Sequence, residues 1–496
     1  MIFHSLDFVG FFIAVMAIYW LLPHRAQNLL LLGASYLFYG YVHPWFLILI
    51  AASTIVDYYA ARAMERWPAR KRLLVWASVV SNLGMLAFFK YFNFFVESVT
   101  SVLTAAGWDT NPTLLRIMLP VGISFYTFQT LSYTIDVYRG EMSARASLLD
   151  FAVFVSLFPQ LVAGPIVRAS YLLPQVEARR RFSSNAARTG LLKICWGFFK
   201  KLVIADNVGV VANKVFALSD PTFPILWAGV FAFAIQICAD FSAYTDIARG
   251  TSRLLGFELP ENFDHPYLAR SPSDFWRRWH ISLSTWFRDY VYVPLGGSRG
   301  GEGKWARNIL FTFLLSGLWH GASWNYVLWG LYHGLLLIAT RARAMMKPLR
   351  VDGGVDRQAP GDRAARWRQW PLLRPLVICL QTIGMFVLTL IGWLVFRETE
   401  LTALVRDFAL SPFAAPEADY RIALYLFLLA LVYSVPLWVQ GIWVEGGRDP
   451  RGRTQPEATA ANWGEIALQG VACGVALAGI LVFHSTTSLD FIYFQF

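Results

Sequence analysis

Charge is scarce in this chain. Only 15% of its residues are Asp, Glu, Lys or Arg, against about 25% in ordinary soluble domains. That shortage argues against a soluble globular protein of this size. Cysteine is scarce as well: Cys195, Cys238, Cys379 and Cys473 lie far apart in apolar stretches, with no CxxC spacing. A disulfide scaffold and a cysteine-built zinc site are thereby excluded, and the four read as small buried hydrophobes. There is no HExxH pattern, so no metal site is expected. Walker, GxGxxG and GxSxG motifs are missing in any supportive context, which disfavours ATP-driven pumps and lipase-like triads. No tandem repeat is present. The first apolar run, "FVGFFIAVMAIYWLLP", lacks a basic leader and a small-residue cleavage site, so it is expected to remain as a helix.

What the chain has in abundance is apolar and aromatic surface, 56% and 16% of its residues. With a mean hydropathy of +0.46, it reads as an all-α polytopic membrane protein whose first partner is membrane lipid. A span needs about 20 helical residues. Apolar segments near that length lie at 8–22, 27–42, 44–61, 73–97, 114–138, 148–167, 187–211, 222–247, 307–340, 372–396, 419–443 and 464–486. The stretch 307–340 is long enough for two elements broken around Gly317–Gly321, so about ten to twelve spans are expected. Segments rich in glycine and polar residues are candidates for re-entrant elements.

The net charge of +11 would suggest nucleic acid in a soluble protein. Here the Arg and Lys lie between apolar segments, so they report topology and no nucleic-acid partner is expected. "RAMERWPARKR" (62–72) and the long polar segment 341–371, with eight Arg/Lys and three Asp, are expected in the cytoplasm. Counting spans outward from them puts both termini outside. The whole chain reads as a single membrane domain.

Polar chemistry concentrates in 236–330. Asp240 and Asp246 sit in or beside an apolar segment, where a carboxylate costs roughly 2.5–3.5 kcal/mol on insertion scales. The plain expectation is an ion pair with Arg249 or Arg253; the functional one is a wet cavity. "SPSDFWRRWHISLSTWFRDYVYVPLGGSRGG" (271–301) interleaves aromatics with Arg277, Arg278, Arg288 and Asp289. It reads as an amphipathic helix at the inner surface or packed inside the protein, capped by Ser273 and Asp274 after Pro272. "PLGGSRGG" then breaks the helix. His320 stands in an apolar pattern flanked by Gly317, Trp319, Gly321 and Trp324. A buried histidine is most often structural, but an ionisable group this deep in a hydrophobic segment, with small neighbours that admit close approach, is a candidate for proton transfer. His280 is a second candidate in the other polar-aromatic block. The tail "FIYFQF" (491–496) reads first as an interfacial aromatic anchor.

Long stretches of the chain resemble bacterial membrane-bound O-acyltransferases. They are "LPVGISFYTFQTLSYTIDVYRG" (119–140), "FPQLVAGPIVR" (158–168), "DFSAYTDIARG" (240–250), "ENFDHPY" (261–267), "FWRRWHISLSTWFRDYVYVPLGG" (275–297) and "GLWHGASWNYVLWGLYHG" (317–334), in that order; "LLLLGASYLFYG" (29–40) fits too. The resemblance implies a ring of membrane helices around a thin core, with a tunnel from a cytoplasmic donor site to an outer acceptor site. It places the family's near-invariant histidine on His320. A second family position, asparagine in many eukaryotic relatives, falls on His280. His333 is expected to be structural.

The same resemblance implies a mechanism. The acyl donor is expected to be acetyl-CoA or another thioester, with no permanently bound cofactor. Arg277, Arg278 and Arg288 are expected either to hold its phosphates or to pair with Asp274 and Asp289. His320 is expected to act as general base. The branch works with a periplasmic or membrane-anchored SGNH-type partner at the bacterial inner membrane. Related systems carry a terminal FIYFxF motif whose tyrosine, here Tyr493, is implicated as a temporary acyl carrier. The polysaccharide acceptor is expected to be an exopolysaccharide, alginate first. Cellulose, peptidoglycan or D-alanyl transfer to teichoic acid are the alternatives within the enzyme class, and a transporter or flippase is the alternative outside it.

Overall fold

The structure, a computed structural model, describes residues 1–108, 115, 117–161, 164–345, 373–446, 463–485, 487 and 489–492. All regular secondary structure among them is helical, as an apolar chain requires when its backbone must satisfy itself away from water. Among the described residues, six helical stretches are long and apolar enough to cross a bilayer: Phe46–Arg66, Pro68–Ala105, Phe223–Leu254, Pro375–Arg397, Glu417–Gly446 and Gly464–Phe483. The protein is therefore a multi-pass all-α membrane protein.

Other segments expected to span are shorter or more polar. Helix α1 (Leu6–Tyr19) has 14 residues and begins at Ser5, whose hydroxyl accepts the Phe8 N–H. Helix α2 (His24–Gly40) buries Gln27 and Asn28. Residues 148–167 divide into α7 (Leu148–Ser156) and α8 (Phe158–Leu161). At about 1.5 Å per residue, neither approaches the ~30 Å of a hydrocarbon core. The segment stays inside because Phe151, Phe154, Phe158 and Gln160 are all buried.

The chain resolves into two units. One comprises Met1–Ser219, Ile235–Glu261 and Ile422–Phe496; the other comprises Asp220–Ala234 and Asn262–Arg421. Within the first, α3 (Phe46–Arg66), α4 (Lys71–Leu86), α5 (Phe92–Ala105), α6 (Ile123–Arg139) and α9 (Ala169–Glu177) accompany α1, α2, α7 and α8. Helices α3, α4 and α6 pack together around a buried carboxylate. Asp57 accepts from Ser78 Oγ at 2.5 Å and from Asn82 Nδ2 at 2.9 Å on both oxygens. Ser53 donates to Asn82 Oδ1 at 2.6 Å. Such a network tolerates burial because each oxygen of the acid has a donor.

Helix α10 (Ser184–Phe199) runs through a π turn, Lys200–Ala205, into α11 (Asp206–Phe216). Helix α12 (Phe223–Leu254), α19 (Glu417–Gly446) and α20 (Trp463–Phe483) complete this unit; the first part of α12 and the start of α19 belong to the other.

The second unit holds α13 (Pro272–Arg278), α14 (Ile281–Phe287), α15 (Glu302–His320), α16 (Trp324–Met345), α17 (Leu373–Arg397) and α18 (Leu401–Ala409). The expected division of 307–340 is present, since α15 ends at His320 and α16 starts at Trp324. Glycine sets how closely these two helices approach. A Cβ on Gly317 would lie 2.1 Å from the Tyr326 carbonyl oxygen, and one on Gly330 2.2 Å from that of Phe313.

Candidate active site

His320 closes α15 and is 4% exposed. Its ring meets Trp329 edge-on at 4.9 Å, Phe396 at 5.4 Å and Trp319 at 5.1 Å. The backbone carries it there because Gly321 ends the helix in extended conformation. A Cβ on Gly321 would fall 2.0 Å from the Tyr326 ring, so only glycine lets the chain turn beneath that ring. Asn325 ties the start of α16 to the end of α17 by donating to the carbonyls of Val395, at 3.3 Å, and Phe396, at 3.0 Å. Phe396 is thereby held against His320.

His280 lies between α13 and α14 and is fully buried. The expected single amphipathic helix is two short ones. The break comes at His280, whose φ of 42° is left-handed, a conformation uncommon for a side-chain-bearing residue and costing about 1–3 kcal/mol. The conformation is held by "ENFDHPY". Asp264 N–H donates to the Arg278 carbonyl at 2.9 Å, and Ile281 N–H to that of Asn262 at 2.9 Å. Asn262 Oδ1 also accepts from Ser282 N–H at 3.1 Å and Ser282 Oγ at 2.9 Å. His280 Nδ1 is 3.2 Å from the same oxygen. Because that oxygen accepts the Ser282 N–H, the imidazole must present Nδ1–H to it, and Nε2 is then the ring's acceptor.

The two histidines share a neighbour. Trp319 stands 6.0 Å from the His280 ring and 5.1 Å from that of His320. His333 lies further along the same aromatic wall, 4.8 Å from Trp329, 5.0 Å from Trp276 and stacked on Phe275 at 6.0 Å. Its Nε2 would be 2.9 Å from a Cβ on Gly392, which fits a packing role.

The cap of α13 differs from expectation. Ser271, not Ser273 or Asp274, accepts the first-turn N–H, that of Asp274, at 3.2 Å. Pro272 occupies the first helical position, so the capping residue must precede it. The freed Asp274 pairs with Arg278 at 3.0 Å, and Arg288 pairs with Asp289 at 2.7 Å. Arg277 is exposed.

In the other unit, Asp240 and Asp246 have different partners from those expected. Arg249 reaches Glu261 at 3.1 Å and Arg253 reaches Glu258 at 2.9 Å. The aspartates are met from the neighbouring helix instead. Lys200 lies 2.7 Å from Asp246, and Lys201 lies 2.8 Å from Asp206 and 3.1 Å from Asp240. Both lysines belong to the π turn, whose extra residue lets two successive side chains face α12. The double lysine inside "GFFKKLVIAD" was the available signal, since a buried carboxylate needs a buried cation. Tyr493 lies outside the described residues, as do most of 341–371 and all of 447–462; Phe491 and Ile492, just before Tyr493, are fully buried. All four cysteines are free thiols, but of the four expected to be buried only Cys238 is; Cys195 and Cys473 are half-buried and Cys379 is exposed on its apolar helix. Among the described residues no group of three or more His, Cys, Asp or Glu could hold a metal.

Comparison with known proteins agrees with the sequence pattern around these histidines. The membrane-bound O-acyltransferase family profile matches residues 141–349, which include His280, His320 and the α15–α16 hairpin. A probable alginate O-acetylase AlgI of Azotobacter vinelandii is 41% identical over 82% of this chain and 77% of its own. A probable alginate O-acetylase AlgI of Pseudomonas putida is 35% identical over 100% of both chains. A peptidoglycan O-acetyltransferase of Helicobacter pylori is 36% identical over 65% of this chain and 67% of its own. The chain belongs to the membrane-bound O-acyltransferase family and is an O-acyltransferase built as a multi-pass membrane protein.

Proposed function

We propose that this enzyme moves acetyl groups from a cytoplasmic thioester, acetyl-CoA, across the bacterial inner membrane for O-acetylation of an exopolysaccharide, alginate first. The observation that carries the reading is the pair of buried histidines that both border Trp319, in a chain similar along its whole length to a probable alginate O-acetylase. Both termini face the periplasm in this reading, and an SGNH-type partner there completes transfer to the polymer.

His320 is the general base. It takes the proton from an attacking hydroxyl while the oxygen adds to the thioester carbonyl; the C–S bond breaks and the departing thiolate takes the proton. A thioester is already activated, so positioning and one base are enough. His280 assists at the same centre, with its Nε2 set as an acceptor by Asn262. The exposed Arg277 and Arg288, together with the half-buried Arg278, bind the donor's phosphates.

The attacking hydroxyl is the phenol of Tyr493. A phenol, with pKa about 10, is a good leaving group, so the aryl ester passes its acetyl to the partner's serine and the phenol is regenerated. Peptidoglycan is the second acceptor reading, favoured by the similarity to the Helicobacter pylori enzyme.

Deleting the gene and restoring it on a plasmid, with mass spectrometry of each polymer, tests the proposal. Acetyl groups should vanish from the exopolysaccharide and return with the wild-type gene. Unchanged acetylation of every polymer in the deletion strain contradicts it.

A further inference from the structure

The ion cluster around Lys201 is buried far beyond what a helix-to-helix bridge needs. Lys201, Asp206 and Asp240 have side chains only 1–2% exposed. Two carboxylates share one ammonium where water cannot reach them, so further hydrogen-bond partners are needed to offset their burial. What completes it is the chain's own last described segment. Lys201 Nζ donates to the Leu489 carbonyl at 2.8 Å, and Asp240 Oδ2 accepts the Ile492 N–H at 2.7 Å. Asp240 thus divides its oxygens, Oδ1 toward the lysine and Oδ2 toward the tail.

Apolar contacts seat the same residues. Phe491 stacks on Tyr244 at 4.1 Å, and Lys201 lies over that tyrosine ring from 6.0 Å. Leu489 presses on Gly209, where a Cβ would meet its Cδ1 at 2.6 Å and Gln236 Nε2 at 2.8 Å. Upstream, Asn207 Nδ2 donates to the Phe483 carbonyl at 2.9 Å and Ser485 N–H to that of Leu202 at 3.2 Å.

We infer that Lys201, Asp206 and Asp240 form a socket for the C-terminal segment and act as positioning residues, fixing where the chain leaves Ile492. The socket grips backbone at two points three residues apart, so it sets direction as well as anchorage. An interfacial anchor needs only apolar side chains; a tail that must present one residue repeatedly needs its backbone held. The consequence for acetyl transfer rests on the proposed role of Tyr493, the next residue in the chain; the seating itself does not.

The test uses the full-length protein in native membranes with single cysteines. One form keeps only Ile492→Cys and the other keeps only the native, buried Cys238, and a membrane-permeant maleimide reports exposure. Asp240→Ala and Lys201→Met should speed labelling at 492 by about tenfold to a hundredfold, the factor for losing a hydrogen bond to a charged group. Cys238 should stay protected. Asp240→Asn, which keeps an oxygen for the Ile492 N–H, should recover part of the protection. Unchanged labelling at 492, or equal labelling at both positions, overturns the socket. Acetylation by Tyr493→Phe is read separately. If that variant stays active while Asp240→Ala exposes position 492, the socket stands and the carrier role falls.

Discussion

Around the three histidines of the unit built on α13–α18, the polar groups taken out of water are imidazoles, indoles, amides and hydroxyls; the buried carboxylate of that unit, Asp407, lies on α18 beside Arg406. His280, His320 and His333 sit among Trp276, Trp319, Trp329 and Phe396, and the hydrogen bonds run to carbonyl and amide oxygens such as that of Asn262. In the unit built on α1–α11, the later part of α12 and the tail, charges are buried in pairs: Lys201 with Asp206 and Asp240, and Lys200 with the half-buried Asp246. The difference fits the two proposed roles. A proton-transfer group must be able to change its protonation state, and a neutral imidazole among neutral groups can accept a proton without first breaking an ion pair. A socket must hold one geometry, and paired charges with charge-assisted hydrogen bonds do that best.

The largest expected effect separates the two readings of the tail. Tyr493→Phe removes one oxygen, and a carrier that has lost its nucleophile should drop polymer acetylation by about a hundredfold or more. An anchor tolerates the change, and acetyl content of the polymer decides between them. Next comes Lys201→Met, which strands two carboxylates. Leaving a buried charge unpaired costs about 3–5 kcal/mol, visible as a lower thermal midpoint in detergent. The same midpoint in Lys201→Met as in wild type would mean that the charges are not coupled.

Asn262→Ala probes the neutral side of the comparison. Without its oxygen, His280 loses the partner that sets its tautomer, and kcat should fall by about tenfold, the worth of one buried hydrogen bond. KM for the donor should hold steady, whereas general loosening of the fold would move both. Arg277→Ala and Arg288→Ala should act the other way, raising KM for acetyl-CoA a few-fold with kcat unchanged, because exposed charges contribute modest binding. The smallest effect is expected from His333→Phe. It keeps a ring against Trp276 and Trp329, so stability should change by less than about 1.5 kcal/mol and activity should persist. Loss of activity there would place a third histidine in the chemistry.

The sequence made much of this arrangement legible, for physical reasons. His320 stood out because an imidazole in a long apolar run has few bland explanations, and Gly317 and Gly321 marked where the helices meet. The block 271–301 was recognisably too polar for lipid and too aromatic for solvent. Its break at His280 was not visible, because the left-handed turn is imposed by Asn262 and Asp264 from another segment. The partners of Asp240 and Asp246 were misassigned to the nearby arginines. Spacing along α12 favoured them, whereas the π turn that aims Lys200 and Lys201 has no simple sequence signature. Residues 148–167 read as one span because apolar content does not reveal a backbone break such as that at Leu157.

The most direct test of the account is consumption of acetyl-CoA by membranes carrying wild-type protein or His320→Ala, matched for inserted protein and for thermal midpoint. Removing a general base should slow thioester consumption by about 10²–10⁴-fold while the variant remains inserted and folded. Consumption at the wild-type rate by a folded His320→Ala enzyme would contradict it.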